Sequence, residues 1–593
     1  MKLAAPNHSI VVVYLTMFSM CWKTSLAFVT GRSKSCRHHP VVGPCTSSPS
    51  SMLTVLRGGS SDAVVAEVPT AEATSASASA SNQSSSKALY QELLKKLETI
   101  THLGRAQSVL SYDQLVFMPS SAASDRGQQM SALAGILHEM KTDPKLKDML
   151  DTVLEVDRQQ PQGSELDDDA LRLIALERKA FLENERIPAD LAAKMAGLSS
   201  SAYGDWVRAK ENKDFGAFAP TLQECFDTAM EAAEAKKGED NDGITLYDQM
   251  LDEFEIGMGQ ERIDTIFEEV RSALVPLISR VLASPSKPSE EPLEGTFDIA
   301  KQQQLSQKLV TAIGYDKEQG RIDVSVHPFS SSMSSKDVRI TSRFRDDEWY
   351  QGLAGTLHEG GHAIYEQNLV SSAVSIDAAL SMGTHESQSL FWERHIGLSK
   401  PFWKFAHPYM PELDASFEKY SAEELYGAVN RVSNSFIRVE ADELTYPLHV
   451  ILRYTIEKDV IGGNLSVSDI SKRWNADMKS LLDVDVESDD MGVLQDVHWS
   501  ALAFGYFPTY LIGAIAAAQL FHYCQNDIDD IDSKIEAGDF QPIKDWLKVK
   551  VHQHGRRYES LDSMLEDQLG EPLNPKYFIE YLTTKYTDLY QLK

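Results

Sequence analysis

The sequence predicts a mainly α-helical protein: one large helical unit with a deep groove and a small β-sheet, preceded by a leader outside that unit. Three observations predict it. Apolar residues recur at helical spacing over most of the 593-residue chain. One stretch, 322–345, alternates near period two instead. Residues 1–61 read as a targeting presequence, and residues 62–86 carry too little apolar content to fold.

Residues 1–61 contain no Asp or Glu, and carry Lys2, Lys23, Arg32, Lys34, Arg37 and Arg57. The apolar stretch from Ile10 to Trp22 is shorter than the roughly 20 residues of a membrane span. With Lys2 before it and Ser25-Leu26-Ala27 after it, it reads as a signal peptide of about residues 1–27. Phe28 then opens a basic, Ser-rich segment. This arrangement resembles the bipartite plastid-targeting presequences of algae with complex plastids, which implies a plastid destination. A secretory signal peptide followed by a propeptide is the alternative, with a secreted or endomembrane destination. Residues 62–86 form an Ala/Ser/Thr-rich tract expected to be a disordered linker.

The folded unit is expected over residues 87–593, in two lobes about the groove. Helical periodicity marks 88–118, 126–160, 166–183, 187–210, 215–236, 260–283 and 300–313. Val324, Val326, Phe329, Val338, Ile340 and Phe344 mark the small sheet. The apolar run Ala514 to Tyr523 reads as a buried core helix, not a membrane span. Of five cysteines, only Cys225 and Cys524 lie in the folded unit. A disulfide framework is therefore excluded, and a reducing compartment is favoured. The net charge is −30, and since residues 1–61 contribute six positive charges, the remainder is more acidic still. Such a surface repels nucleic acid and anionic membranes.

The most specific feature is His358-Glu359-Gly360-Gly361-His362. Its flanks, from Trp349 to Gln367, contain no Pro and read as one amphipathic helix. Residues four apart share a helix face, so His358 and His362 can both reach one metal ion. Glu359, beside the first ligand, can take a proton from an attacking water. This is the zincin arrangement for hydrolysis. Gly360 and Gly361 each cost a helix interior up to about 1 kcal/mol, so close approach of substrate or of a neighbouring helix must justify them. A third ligand is needed. Glu386, 28 positions after His358, is expected on a second helix that packs back on the first after a reversal through 371–379. Glu393 and Glu366 compete for that place, and Glu393 could instead support a ligand from behind. One divalent ion per chain is expected, Zn²⁺ first and Co²⁺ as the alternative.

Three further segments accompany this motif in order: His385-Glu386-Ser387-Gln388, Ile437-Arg438-Val439-Glu440-Ala441-Asp442, and Gly492-Val493-Leu494-Gln495-Asp496-Val497-His498-Trp499. Upstream stand Ser325-Val326-His327-Pro328-Phe329 and Asp337-Val338-Arg339-Ile340-Thr341. Together these resemble the carboxypeptidase Taq family of metallocarboxypeptidases, from about residue 88 to the C-terminus. The resemblance implies a zincin-like fold and release of C-terminal amino acids from peptides with a free C-terminus. It also implies a homodimer, and roles for His498 and Tyr510 as donors to the developing oxyanion and for His327 in substrate binding.

Recognition of a free α-carboxylate calls for an Arg. Arg438 is the candidate, on a helical segment where Arg438, Asp442, Thr445 and His449 would form a polar stripe. An Arg438–Asp442 pair holding that helix is the structural alternative. Gln495 and Asp496 are expected to orient ligands or substrate. Two other readings stay open: an endo-oligopeptidase with the same metal site, and a catalytically silent peptide-binding zinc protein. Glu359 speaks against the second, because a purely structural metal site has no use for a base.

Overall fold

The computed structural model describes residues 85–160, 163–238 and 243–593. The expected presequence and most of the linker lie outside the described residues. From Ser86 onward the chain forms a single compact unit, predominantly helical with one three-stranded sheet.

Helices form where the periodicity predicts them: Ser86–Val116, Asp168–Arg186, Ala189–Asn212, Phe215–Lys237, Gln260–Ala283 and Ile299–Ala312. One expected helix is two. Residues 126–160 divide into Ala123–Lys141 and Pro144–Arg158. Thr142 closes the first, Asp143 caps the second by accepting the Lys145 N–H at 3.0 Å, and Pro144 has no N–H to continue the earlier ladder.

Two buried clusters frame the groove. One is built from the N-terminal helices, with Leu93, Leu97, Leu150, Val153, Leu173, Ile174 and Phe181. The other runs through the rest of the chain and contains Trp349, Phe391, Trp403, Phe507 and Ile515. A cavity of about 1520 Å³ is lined from both sides, by Leu97, Ile100 and Arg105 and by the motif residues.

The sheet has strand order β1-β3-β2, with β1 at Ile322–Val324, β2 at Phe329–Ser334 and β3 at Asp337–Ser342. β1 runs parallel to β3 (Ile322 opposite Ile340), and β2 is antiparallel to it (Phe329 opposite Thr341). β2 is an outer strand, and residues 327–335 line the cavity. The sheet packs on the motif helix, Trp349–Asn368.

The apolar run near the C-terminus belongs to helix Pro508–Asp527, whose residues from Leu511 to Leu520 are all buried. Among the described residues no helix is long and apolar enough to cross a membrane. Cys225 and Cys524 are separate buried thiols; burial pushes each up to about 12.

Candidate active site and metal centre

The motif helix runs unbroken through His358-Glu359-Gly360-Gly361-His362. Its glycines are explained by neighbouring helices. A Cβ on Gly361 would sit 2.6 Å from the Gln388 carbonyl oxygen and 2.7 Å from Ser389 Cα. A Cβ on Gly360 would strike Val310 Cγ2. The helix Met382–Leu390 can therefore lie flat against the motif helix and bring Glu386 to the two histidines. Gly513, on the core helix behind, completes the fit: a Cβ there would lie 2.6 Å from Glu386 Cβ.

Glu386 Oε2 lies 3.6 Å from His362 Nε2 and 4.0 Å from His358 Nε2. Ligand atoms of these three residues all fall within 4.8 Å of one another, and no other such group of His, Cys, Asp or Glu occurs among the described residues. Bonds of about 2.0–2.1 Å at tetrahedral angles put donors about 3.4 Å apart, so a small inward movement closes this set around one ion.

The competitors for the third place have other partners. Glu393 Oε2 lies 2.7 Å from His358 Nδ1, so it orients that ring from behind. Glu366 Oε1 lies 3.0 Å from His385 Nε2. His362 Nδ1 in turn lies 3.0 Å from the His385 carbonyl oxygen and 2.7 Å from His385 Nδ1. These contacts assign the tautomers. His385 donates Nε2–H to Glu366 and accepts at Nδ1, His362 donates Nδ1–H, and both ligand histidines keep a lone pair on Nε2.

The electrostatics suit a cation. Burial works against a charged His358, yet the Glu393 hydrogen bond and the charges of Glu386 and Glu393 push it up to about 9. Positive charge at its Nε2 is thus favoured, and a metal ion can supply it in place of a proton. Burial, then His385 and His358, holds His362 well below its usual range, ready as a ligand. Burial pushes Glu359 up to about 7 against the pull of His358. Its carboxylate makes no hydrogen bond with any described residue, which leaves it available as a base. The two imidazoles, the one carboxylate and the adjacent base fit an open, catalytic divalent-metal site.

The remaining candidates line the same cavity, though not all as expected. The segment carrying Arg438 is not an extended helix. Residues 430–445 are largely irregular, with one short turn at Arg438–Glu440, and the next helix starts only at Tyr446. The physical reason is local competition. Asp442 accepts backbone N–H groups of Ser433, Leu444 and Thr445 at 3.1, 3.0 and 3.0 Å, and Pro447 sets the start of the following helix. The expected polar stripe and the Arg438–Asp442 pair therefore do not form.

Arg438 instead pairs with Asp496, at 2.8 Å from Nη2 and 3.2 Å from Nε, and donates from Nη1 to the Tyr446 hydroxyl at 3.1 Å. Asp496 is shared with Arg453, whose Nε lies 2.6 Å from Oδ2. Burial works against the Asp496 charge, but the two guanidiniums hold it well below the usual carboxylate range. Removing one partner from such a buried set costs about 3–5 kcal/mol, so Asp496 holds this wall together.

Gln495 uses its amide on the backbone. It accepts from Arg438 N at 2.8 Å and donates to the carbonyls of Phe436, Gly492 and Met491 at 3.0, 3.1 and 3.3 Å. His498 Nε2 lies 3.2 Å from the Tyr510 hydroxyl, and its Nδ1 lies 3.9 Å from Asp496. His327 is half-buried on the cavity wall; burial, then Arg343 and Lys210, lower its affinity for a proton.

Sequence reasoning missed several contributors. Glu255 accepts the Gly383 N–H at 2.8 Å and holds the start of the Glu386 helix; burial pushes it up to about 7. After Leu390 the helix widens into a π turn, Phe391–Ile396, closed by the Gly397 N–H on the Trp392 carbonyl at 2.8 Å. π turns recur at functional sites, and this one carries both Glu393 and Arg394. No period in the sequence announces it.

The comparisons identify the family of the chain. The family model described as carboxypeptidase Taq (M32) metallopeptidase matches residues 92–586. The chain is 36% identical over 508 residues to carboxypeptidase 1 of Bacillus subtilis, covering 85% of this chain and 99% of the relative. It is 35% identical over 516 residues to thermostable carboxypeptidase 1 of Thermus thermophilus, with the same coverage of 85% and 99%. Among solved structures, the M32 carboxypeptidase of Deinococcus radiodurans superposes with a TM-score of 0.81 at 32% identity, over 85% of this chain and 99% of that one. Metallocarboxypeptidase 1 of Trypanosoma cruzi gives 0.80 at 33%, over 85% and 100%. The chain belongs to the carboxypeptidase Taq (M32) family of metallopeptidases and is a metal-dependent carboxypeptidase.

Proposed function

We propose that this enzyme releases single amino acids from free peptide C-termini, using one Zn²⁺ or Co²⁺ held by His358, His362 and Glu386. The observation that carries the reading is the convergence of those three donors beside Glu359, a buried carboxylate with no hydrogen bond among the described residues, on the wall of a large cavity. When bound, the ion supplies Lewis acidity, making water acidic near neutral pH and polarising the scissile carbonyl. Glu359 takes the proton from the attacking water and returns it to the leaving amine.

Glu393 fixes the His358 ring, and the Glu366–His385 pair fixes that of His362. His498 and Tyr510 serve as donors to the developing oxyanion. Burial pushes His498 down to about 3, so at neutral pH it is a hydrogen-bonding imidazole and not a cation. Burial likewise raises the Tyr510 hydroxyl, which keeps its proton. Outer strand β2 offers backbone groups to an extended peptide. Arg438 contributes positive charge to the wall that receives the terminal carboxylate, with Gln495 bracing its loop.

An N-blocked dipeptide with a free C-terminus, compared with its C-terminal amide, tests the reading. The free acid should turn over at least tenfold faster in kcat/KM, the order expected from one charge-assisted contact. Equal rates would leave an endo-oligopeptidase with the same metal site.

We also propose that residues 1–61 deliver the catalytic unit, residues 87–593, to a plastid. The support is the signal-like stretch ending at Ala27, then Phe28 and an acid-free basic segment. A fluorescent protein fused after residue 61 should enter plastids of an alga with complex plastids, and Phe28→Ala should divert it. Secretion of the unaltered fusion would establish the plain signal peptide instead.

A further inference from the structure

We propose that Arg394 is the residue whose guanidinium directly receives the substrate's terminal carboxylate. This rests on the carboxypeptidase reading and deepens it. Arg394 directly follows Glu393 on the π turn and lines the cavity together with His358, Glu359 and Glu386. It is only 7% exposed. Yet among the described residues no hydrogen bond or ion pair engages its guanidinium, and Nη1 is buried with no partner. A buried, unpaired guanidinium is unfavourable in a folded protein unless something else completes it.

The surrounding charges already have partners. Glu393 is bound to His358, and Glu386 belongs to the metal-ligand set. Glu443, behind Arg394, is bound by Lys585, Tyr581 and Tyr586. With a divalent ion in the ligand set, the pocket around Arg394 becomes more positive, and an anionic ligand group is the complement that is missing. Arg438 differs here, since its fork is occupied by Asp496 and Tyr446. Arg343, also on the cavity wall, is exposed and can be solvated.

The geometry suits a carboxylate fork. The Arg394 guanidinium lies 4.8 Å from the centre of the Tyr446 ring. Tyr446 is itself held by Arg438, and Arg438 by Asp496. A guanidinium supported on a fixed aromatic ring is oriented for bidentate carboxylate binding. In a C-terminal substrate the carboxylate carbon lies one residue, roughly 3.8 Å, beyond the scissile carbonyl. The anchor must therefore stand near the metal-ligand set, and Arg394 shares the cavity wall with His358 and Glu386 and lies within reach of the charges of Glu393 and Glu386.

The test uses the metal-loaded full-length enzyme, the N-blocked dipeptide acid and its amide, with Arg394→Gln and Arg394→Lys. Arg394→Gln should lower kcat/KM on the acid at least tenfold, mainly through KM, and lower the slow amide rate far less, so the acid-to-amide preference collapses. Arg394→Lys should fall between, because it keeps the charge and loses the fork. Metal content should match wild type. The melting temperature of Arg394→Gln should fall little, because the guanidinium gives up its place over the Tyr446 ring but no hydrogen bond or ion pair with a described residue. Two results would overturn the proposal: an unchanged acid-to-amide preference in Arg394→Gln, or a large drop in melting temperature in both variants, which would assign Arg394 a structural partner. If wild type itself shows no preference for the acid, it is the carboxypeptidase reading that fails.

Discussion

Glu359→Gln should keep its metal and lose activity by about 10²–10⁴-fold in kcat, the range for removing a general base. Gln matches Glu in volume, so the packing around a residue only 7% exposed is kept. Glu359 is not among the three residues whose ligand atoms converge, so metal affinity should be little changed. Its carboxylate makes no hydrogen bond to another side chain among the described residues, so the fold should not suffer. What disappears is the group that accepts the proton of the attacking water. The checks are elemental analysis of the purified variant and steady-state rates on a free-acid peptide. A variant that retains more than about a tenth of the wild-type kcat would contradict the base assignment. Loss of metal together with activity would make Glu359 part of the ligand field instead.

How much of this site can be read in the sequence depends on the distance over which each feature acts. Features set by neighbours along the chain are legible. The 3.6-residue period marks most helices, the two-residue period marks the sheet, and the i, i+4 spacing of His358 and His362 marks the metal helix. Gly360 and Gly361 are legible as a demand for close packing, though not for what packs there; Val310 and the Gln388–Ser389 backbone are seen only in the fold. Features set by distant partners are not legible. Arg438 is read as a carboxylate anchor on a helical polar stripe, with a pair to Asp442 as the structural alternative, because Asp442 is near in sequence. In the fold Asp442 satisfies the backbone of an irregular segment, and Arg438 reaches Asp496, 58 positions away. A hydrophobic period reports which face of an element is buried, not which polar residue lies opposite. The π turn is hidden for a related reason, since one extra residue in a helical turn leaves the apolar pattern on both sides intact while it re-aims Glu393 and Arg394.

Glu386→Ala and Glu393→Ala should separate a metal ligand from its support. Both residues are carboxylates beside His358, and the sequence alone leaves both open for the third place. The fold separates them by the imidazole nitrogen each one faces: Glu386 lies beside Nε2 of both histidines, whereas Glu393 lies 2.7 Å from Nδ1 of His358. Nε2 is the only ring position left for a metal once Nδ1 has its hydrogen bond. Removing Glu386 takes away one of three protein donors and the negative charge that favours a cation there, so the purified variant should be largely metal-free and inactive. Removing Glu393 leaves all three donors but frees the His358 ring to turn and lowers its basicity. Loss of such an orienting partner typically weakens metal binding or activity by about 10–100-fold. Glu393→Ala should therefore regain metal and part of its activity at raised metal concentration, which Glu386→Ala should not. Titration of each metal-stripped variant with Zn²⁺, followed by dissociation constant and by rate, measures both outcomes. Equal affinities would mean that the third ligand has been misassigned. A weaker affinity for Glu393→Ala than for Glu386→Ala would place Glu393 on the metal, and His358 would then have to turn its Nδ1 away from it.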